Sequence, residues 1–163
     1  MIQIRRAERQ DFDAIWPLLR DVFRAGDTYA VDQEITKADA QIYWMTQARA
    51  TYVAEGPEGI VGTYYIKTNQ PGGGAHICNC GYIVSKEAQG QGIAALMCEH
   101  SQGEAVALGY RAMQFNFVLA SNTGAVRLWH RLGFVTLGTI PNAFDHPKLG
   151  FVDAFVMYKA LVN

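Results

Sequence analysis

Val84-Ser85-Lys86-Glu87-Ala88-Gln89-Gly90-Gln91-Gly92-Ile93-Ala94 joins the end of a strong strand pattern to the start of a strong helical one. Gly90 and Gly92 let the backbone turn sharply and bring several N–H groups to bear on one point. The helix N-terminus behind them, opening at Ile93, adds partial positive charge. Main-chain donors at a positive helix end can hold a phosphate or pyrophosphate without a lysine.

Several kinds of phosphate cradle compete for this loop. A Walker-type loop ends in Gly-Lys-Ser/Thr, and Gly92-Ile93-Ala94 does not. A dinucleotide fingerprint is formally satisfied by Gly90, Gly92 and Ala95. It also needs an acidic residue near the end of the next strand to hold a ribose, and Val118-Leu119-Ala120-Ser121-Asn122 has none. An ordinary glycine-rich turn and an acyl-CoA pyrophosphate loop remain.

Working outward, Ile2 and Ile4 alternate with polar neighbours as a short edge strand. Asp11 precedes a helical pattern through Phe12, Ile15, Trp16, Leu19 and Phe23 that Gly26 ends, with Pro17 inside it. A polar stretch from Asp27 to Asp39 overlaps the start of a second helix over about Lys37–Arg49, with Ile42, Met45 and Ala48 on one side. Thr51–Glu55 and Ile60–Lys67 form a hairpin across Gly56, Pro57 and Gly59. After the glycine-rich segment Gln70–Gly74 come strand Ala75–Val84, helix Ile93–Leu108, strand Arg111–Leu119, helix Asn122–Leu132 and strand Phe134–Ile140. A loop, Pro141–Gly150, leads to a last strand, Val152–Lys159. Helix crossovers confined to the second half predict a mixed α/β sheet, antiparallel in its N-terminal part and locally parallel in the middle, with about four helices.

Composition narrows the function. A length of 163 residues fits one domain, 1–163, and 50% hydrophobic residues are enough to build a core. Fourteen basic against fifteen acidic residues leave a net charge of −1, without the basic excess of a nucleic-acid or anionic-membrane binder. The N-terminus carries charge where a secretory apolar region would lie, and no apolar run approaches membrane-spanning length. Three cysteines, an odd number, point to a reducing compartment, so a soluble, cytoplasmic protein is expected.

Two motifs then carry a resemblance. Gln89-Gly90-Gln91-Gly92-Ile93-Ala94 resembles the Gln/Arg-x-x-Gly-x-Gly/Ala signature of the GCN5-related N-acetyltransferase (GNAT) superfamily. Asn122-Thr-Gly-Ala125-Val-Arg-Leu128-Trp129-His-Arg-Leu132-Gly133-Phe134 resembles that superfamily's second motif, at its usual separation. The resemblance covers the strand–helix order of essentially the whole chain. It implies an acetyl-CoA-dependent N-acetyltransferase with no metal, whose two central strands splay apart around the thioester. The backbone of Gln89, Gly90, Gln91, Gly92, Ile93 and Ala94 would wrap the CoA pyrophosphate, and that of Ile83 and Val84 would pair with the pantetheine amides. Asn122 would bond the pantetheine arm, with Ala125 and Trp129 along the same wall. Dimers are common in the superfamily, so a homodimer is among the expected partners.

The chain departs from the family pattern at two chemical positions. Trp129 stands where a tyrosine often protonates the leaving thiolate, and an indole N–H can donate a hydrogen bond but not a proton. The strand before the glycine loop, His76-Ile-Cys78-Asn79-Cys80-Gly81-Tyr82-Ile-Val84, has no carboxylate where many relatives carry a glutamate base. Asn79 on this strand and Asn116 on the next are polar residues expected at the centres of buried strands, where they must find partners. The spacing of Asn79, Asn116 and Asn122 resembles the fungal proline-analogue N-acetyltransferases, which act on azetidine-2-carboxylate and related cyclic imino acids. That resemblance makes Asn79 and Asn116 the acceptor-site residues and a small-molecule amine the substrate. An acyl-CoA sensor without transfer, or an acetyltransferase for protein amines, is the alternative.

Other groupings carry less. His76, Cys78 and Cys80 share a strand face, but their spacing spreads them over about 13 Å, too far for one zinc ion. Cys98 fits a core position on a helix. Asp27, Asp32 and Glu34, and the pair Asp145 and His146, could face a pocket or solvent.

Overall fold

The computed structural model describes all 163 residues, Met1–Asn163. Strand β1 (Gln3–Arg6) leads into helix α1 (Phe12–Ala25), which buries Phe12, Ile15, Leu19 and Phe23 as one apolar stripe. Gly26 closes α1 in the left-handed conformation, φ 65°, with its N–H on the Val22 carbonyl. Pro17 does not interrupt the helix. The carbonyl it leaves without a helical donor is that of Asp13, an exposed residue within reach of water.

The second helix differs from its sequence reading. Helix α2 (Lys37–Gln41), capped by Thr36 Oγ1 accepting from the Asp39 N–H at 3.1 Å, gives way to a π-helical turn over Ile42–Thr46. The wider turn re-aims the side chains. Trp44 is fully buried with Nε1 donating to Thr63 Oγ1 at 3.0 Å, while Ile42, expected on the inner face, is 46% exposed.

Strands β2 (Ala50–Gly56), β3 (Gly59–Thr68) and β4 (Ile77–Val84) follow. Helix α3 (Ile93–Ala107), strand β5 (Ala112–Leu119), helix α4 (Thr123–Arg131) and strands β6 (Val135–His146) and β7 (Gly150–Ala160) complete the chain. The expected loop at 141–150 is mostly strand: β6 runs on to His146, whose Nδ1 accepts the Lys148 and Leu149 N–H groups to tighten the turn.

The seven strands form one sheet in the order β1-β2-β3-β4-β5-β7-β6, antiparallel except for β4 and β5. One face carries α1 and the π-turn, packed on Val53, Tyr65 and Ile83. The other carries α3 and α4, packed on Tyr64, Ile66, Cys78, Cys80 and Phe115. Both cysteine side chains of β4 are therefore core residues, and burial pushes the Cys80 thiol well above its ordinary pKa.

The feature that makes a site is the failure of β4 and β5 to stay together. Their pairing stops after Ile77↔Ala112 and Cys78↔Met113, and the strands then diverge. On the far side of β5 the register with β7 shifts between Phe115 and Val118, so a bulge at Asn116–Phe117 bends β5 where the gap opens.

Candidate active site

The gap opens into a cavity of about 900 Å³ that passes through the sheet. Strand parity decides which groups line it. The Ser85 N–H bonds the Val61 carbonyl and the Asn69 N–H bonds the Ile77 carbonyl, so odd-numbered residues of β4 direct their peptide groups at β3. The peptide groups of Tyr82 and Val84 consequently face the gap. The Tyr82 carbonyl there accepts from Tyr29 Oη at 3.0 Å. Ile83, expected to share this wall, instead pairs with Thr63 and buries its side chain under α1. Sequence adjacency alone could not separate the two neighbours.

On the α3–α4 face the cavity reaches the glycine loop. Gly90 and Gly92 adopt φ of 80° and 77°, and an added Cβ at either would meet nothing within 4 Å. Gly92 is the N-cap of α3, without a side-chain cap and without an acid in the first turn. The first N–H engaged with the helix is that of Leu96, on the Gly92 carbonyl at 3.0 Å, so the N–H groups of Ile93, Ala94 and Ala95 have no partner within the helix. Gln89, Gly90, Gly92, Ile93 and Ala94 line the cavity; Gln91 is exposed and does not. Arg127 and Arg131, one turn apart on α4, line the cavity from the same face of the sheet and add positive charge there, and sequence reading passed over both. A donor-rich, cationic cradle free of carboxylates fits a pyrophosphate.

Asn122 sits at the N-cap of α4, where its Oδ1 accepts from the Ala125 N–H at 3.3 Å, leaving its amide hydrogens for the cavity that both residues line. Trp129 is 9% exposed, with ring centroids 5.2 Å from Tyr82 and 5.1 Å from Phe115. The Tyr82 phenol is turned away into the core, 2.6 Å from Ser101 Oγ, and burial raises its pKa well above the ordinary value.

Asn79 and Asn116 both reach the cavity, from different surroundings. Asn79 is buried: Nδ2 donates to the Gln114 carbonyl at 3.0 Å and Oδ1 accepts from Tyr65 Oη at 3.2 Å. The first link across the opening gap is thus a side chain, replacing the main-chain ladder where β5 pulls away. Asn116 is not the buried mid-strand residue that its apolar neighbours suggested. It is exposed on the bulge, donating to Asn69 Oδ1 at 2.7 Å and accepting from Gln114 Nε2 at 3.0 Å.

Three tyrosines and a lysine that the sequence did not single out complete this end: Tyr29, Tyr43, Tyr65 and Lys67. Burial raises the pKa of all three phenols, so they stay protonated at neutral pH. Gly81 makes their packing feasible, since a Cβ there would lie 2.6 Å from Tyr65 Cε2 and 3.1 Å from Tyr29 Oη. A glycine inside a strand signals such a close approach, and that signal was available in the sequence. No aspartate, glutamate or histidine lines the cavity. Asp27, Asp32, Glu34, Asp145 and His146 lie outside its wall.

The model of the acetyltransferase (GNAT) family matches residues 12–134, three quarters of the chain. The chain belongs to the GNAT family. This acetyltransferase is 30% identical over 148 residues to N-acetyltransferase aca1 of Schizosaccharomyces pombe, covering 80% of this chain and 71% of that protein. A GCN5-related N-acetyltransferase from Kribbella flavida superposes with a TM-score of 0.93 at 40% identity, covering 98% of this chain and 97% of that one. The structure of yncA from Salmonella typhimurium with its cofactor acetyl-CoA has a TM-score of 0.88 at 19% identity, covering 100% and 95%, a likeness of fold. The GNAT sheet accounts for the parallel β4–β5 pair and the gap beyond it. No helix of the acetyltransferase is long and apolar enough to cross a membrane.

Proposed function

We propose that this acetyltransferase moves the acetyl group of acetyl-CoA onto the amine of a small amino or imino acid, by direct attack within a ternary complex. The observation that carries the reading is the cavity through the sheet: a cationic phosphate cradle lies on one face and an aromatic, polar chamber on the other, joined only where β4 and β5 part.

The N–H groups opening α3, with Arg127 and Arg131 beside them, hold the pyrophosphate by main-chain and cationic contacts. The outward-facing peptides of Tyr82 and Val84 pair with the pantetheine arm as a neighbouring strand would, and Asn122 and Ala125 close the opposite wall. A gap-facing N–H near Val84 polarises the thioester carbonyl as negative charge develops on its oxygen. The amine attacks that carbon in its neutral form, the carbon–sulfur bond breaks, and CoA leaves as a thiolate. With no carboxylate or imidazole on the wall and its phenols held protonated, the chamber supplies no side-chain base, so the amine proton passes to water. Catalysis then rests on holding amine and thioester together and on the polarised carbonyl. Trp129 packs behind the thioester and supplies no proton.

The test is release of free thiol from acetyl-CoA against a panel of amino and imino acids, with the N-acetyl product identified by mass. Amine-dependent thiol release is expected. Acetyl-CoA binding without turnover on any amine would make the protein a sensor instead.

A further inference from the structure

Lys67 is the one cation at the acceptor end of the cavity, and it has no anionic partner. Its Nζ lies 5.7 Å from the ring centroids of both Tyr43 and Tyr65, and it forms no salt bridge and no hydrogen bond to the protein. It is only partly exposed, on the chamber-facing wall, in a cavity without carboxylates. Two ring faces hold the ammonium in place without neutralising its charge. Along the sheet, Lys67 is the register partner of Asn79, so the two side chains project on the same face at the mouth of the gap. Asn79 already spends one donor on the Gln114 carbonyl and one acceptor position on Tyr65 Oη. Asn79 carries no charge, and Lys67 is the cation beside it.

We propose that Lys67 is the counter-ion for the acceptor's carboxylate and determines specificity for amino and imino acids over amines without a carboxylate. The proposal rests on the acetyl-transfer reading above and adds to it how the acceptor is selected. A carboxylate seated on Nζ leaves an α-amine two bonds away, on the Asn79 side and facing the gap. Pairing the carboxylate with Lys67 also withdraws it from the substrate's own ammonium group, which makes the proton easier to lose in a chamber without a base.

The experiment compares azetidine-2-carboxylate with azetidine-2-carboxamide, and proline with prolinamide, on wild type, Lys67→Met and Lys67→Arg. The readout is the acid-to-amide ratio of kcat/KM by thiol release. Comparing that ratio between variants cancels the intrinsic difference in nucleophilicity between the two amines. Lys67→Met should lower it at least tenfold, about 1.4 kcal/mol, by losing rate on the acid and little on the amide. Lys67→Arg should keep most of it, and the KM for acetyl-CoA should stay constant in all three proteins. An unchanged ratio in Lys67→Met, or an equal loss on acid and amide, overturns the assignment. If wild type turns over none of these amines, the acetyl-transfer reading has failed for this substrate class. Calorimetric titration of acid and amide into the CoA-loaded proteins then decides Lys67 separately: a tenfold fall in the affinity ratio supports it and an unchanged ratio overturns it.

Discussion

Replacing Asn79 and Asn116 by alanine should have unlike effects on stability and like effects on turnover. Asn79→Ala removes the acceptor of Tyr65 Oη and a donor to the Gln114 carbonyl. Tyr65 is 4% exposed, so water reaches its hydroxyl poorly, whereas Gln114 is only half-buried and its carbonyl is partly open to solvent. An orphaned buried polar group costs about 1–3 kcal/mol, and with one of the two partly relieved by solvent the sum is roughly 2–3 kcal/mol. For a chain of this size that lowers Tm by about 5–10 °C. Asn116→Ala breaks hydrogen bonds on an exposed bulge, where water replaces both partners, and should change stability by no more than about 0.5 kcal/mol. Both variants should nevertheless lose kcat/KM for the accepted amine by about 2–4 kcal/mol of transition-state stabilisation, with acetyl-CoA affinity nearly unchanged. The assays are urea unfolding, calorimetry with acetyl-CoA and steady-state kinetics. In a double-mutant cycle with Tyr65→Phe, the Asn79 stability cost should shrink by about 1 kcal/mol. Wild-type melting of Asn79→Ala would refute its bridging of the gap, and normal turnover by both variants would remove the pair from the acceptor site.

Gly92→Glu places a carboxylate at the α3 N-terminus and forces a left-handed φ on a residue with a Cβ, a strain of about 1–2 kcal/mol that the fold should survive. Acetyl-CoA binding should vanish in calorimetry, and unchanged binding would remove the glycine loop from the account. Trp129→Phe should keep kcat within about tenfold of wild type, or ~1.4 kcal/mol of barrier, because neither ring delivers a proton; a larger loss by steady-state kinetics would show that the indole N–H makes a needed bond. Arg5, at 2.9 Å from Asp11, holds the Asp11 carboxyl below the ordinary carboxylate range. A depressed folded-state pKa stabilises the protein above the unfolded value of about 3.9, and that contribution fades as pH falls through the folded value. Asp11→Asn should therefore unfold at lower urea than wild type at neutral pH, and the difference should narrow as the pH falls below the unfolded value.

The sequence by itself determined the order of strands and helices, the paired glycines before α3, the tryptophan at position 129 and the lack of a glutamate on β4. These are local matters. Apolar periodicity, a positive φ that only glycine adopts readily and the chemistry of a single side chain all lie within a few residues of one another. The α1 stripe and its Gly26 stop were legible for that reason. The tertiary structure decided which groups meet. Tyr29 comes from a polar stretch, Tyr43 from a π-helical turn, Tyr65 and Lys67 from a strand, and only the folding of α1 and that turn over the sheet brings them to one chamber. Ile83 and Val84 look alike as neighbours, yet the register with β3 turns one peptide inward and leaves the other on the gap. Asn116 sits among Phe115, Phe117 and Val118, and composition alone would bury it. The bulge against β7 exposes it instead, because an extra residue on one strand breaks the alternation of faces on which burial was inferred.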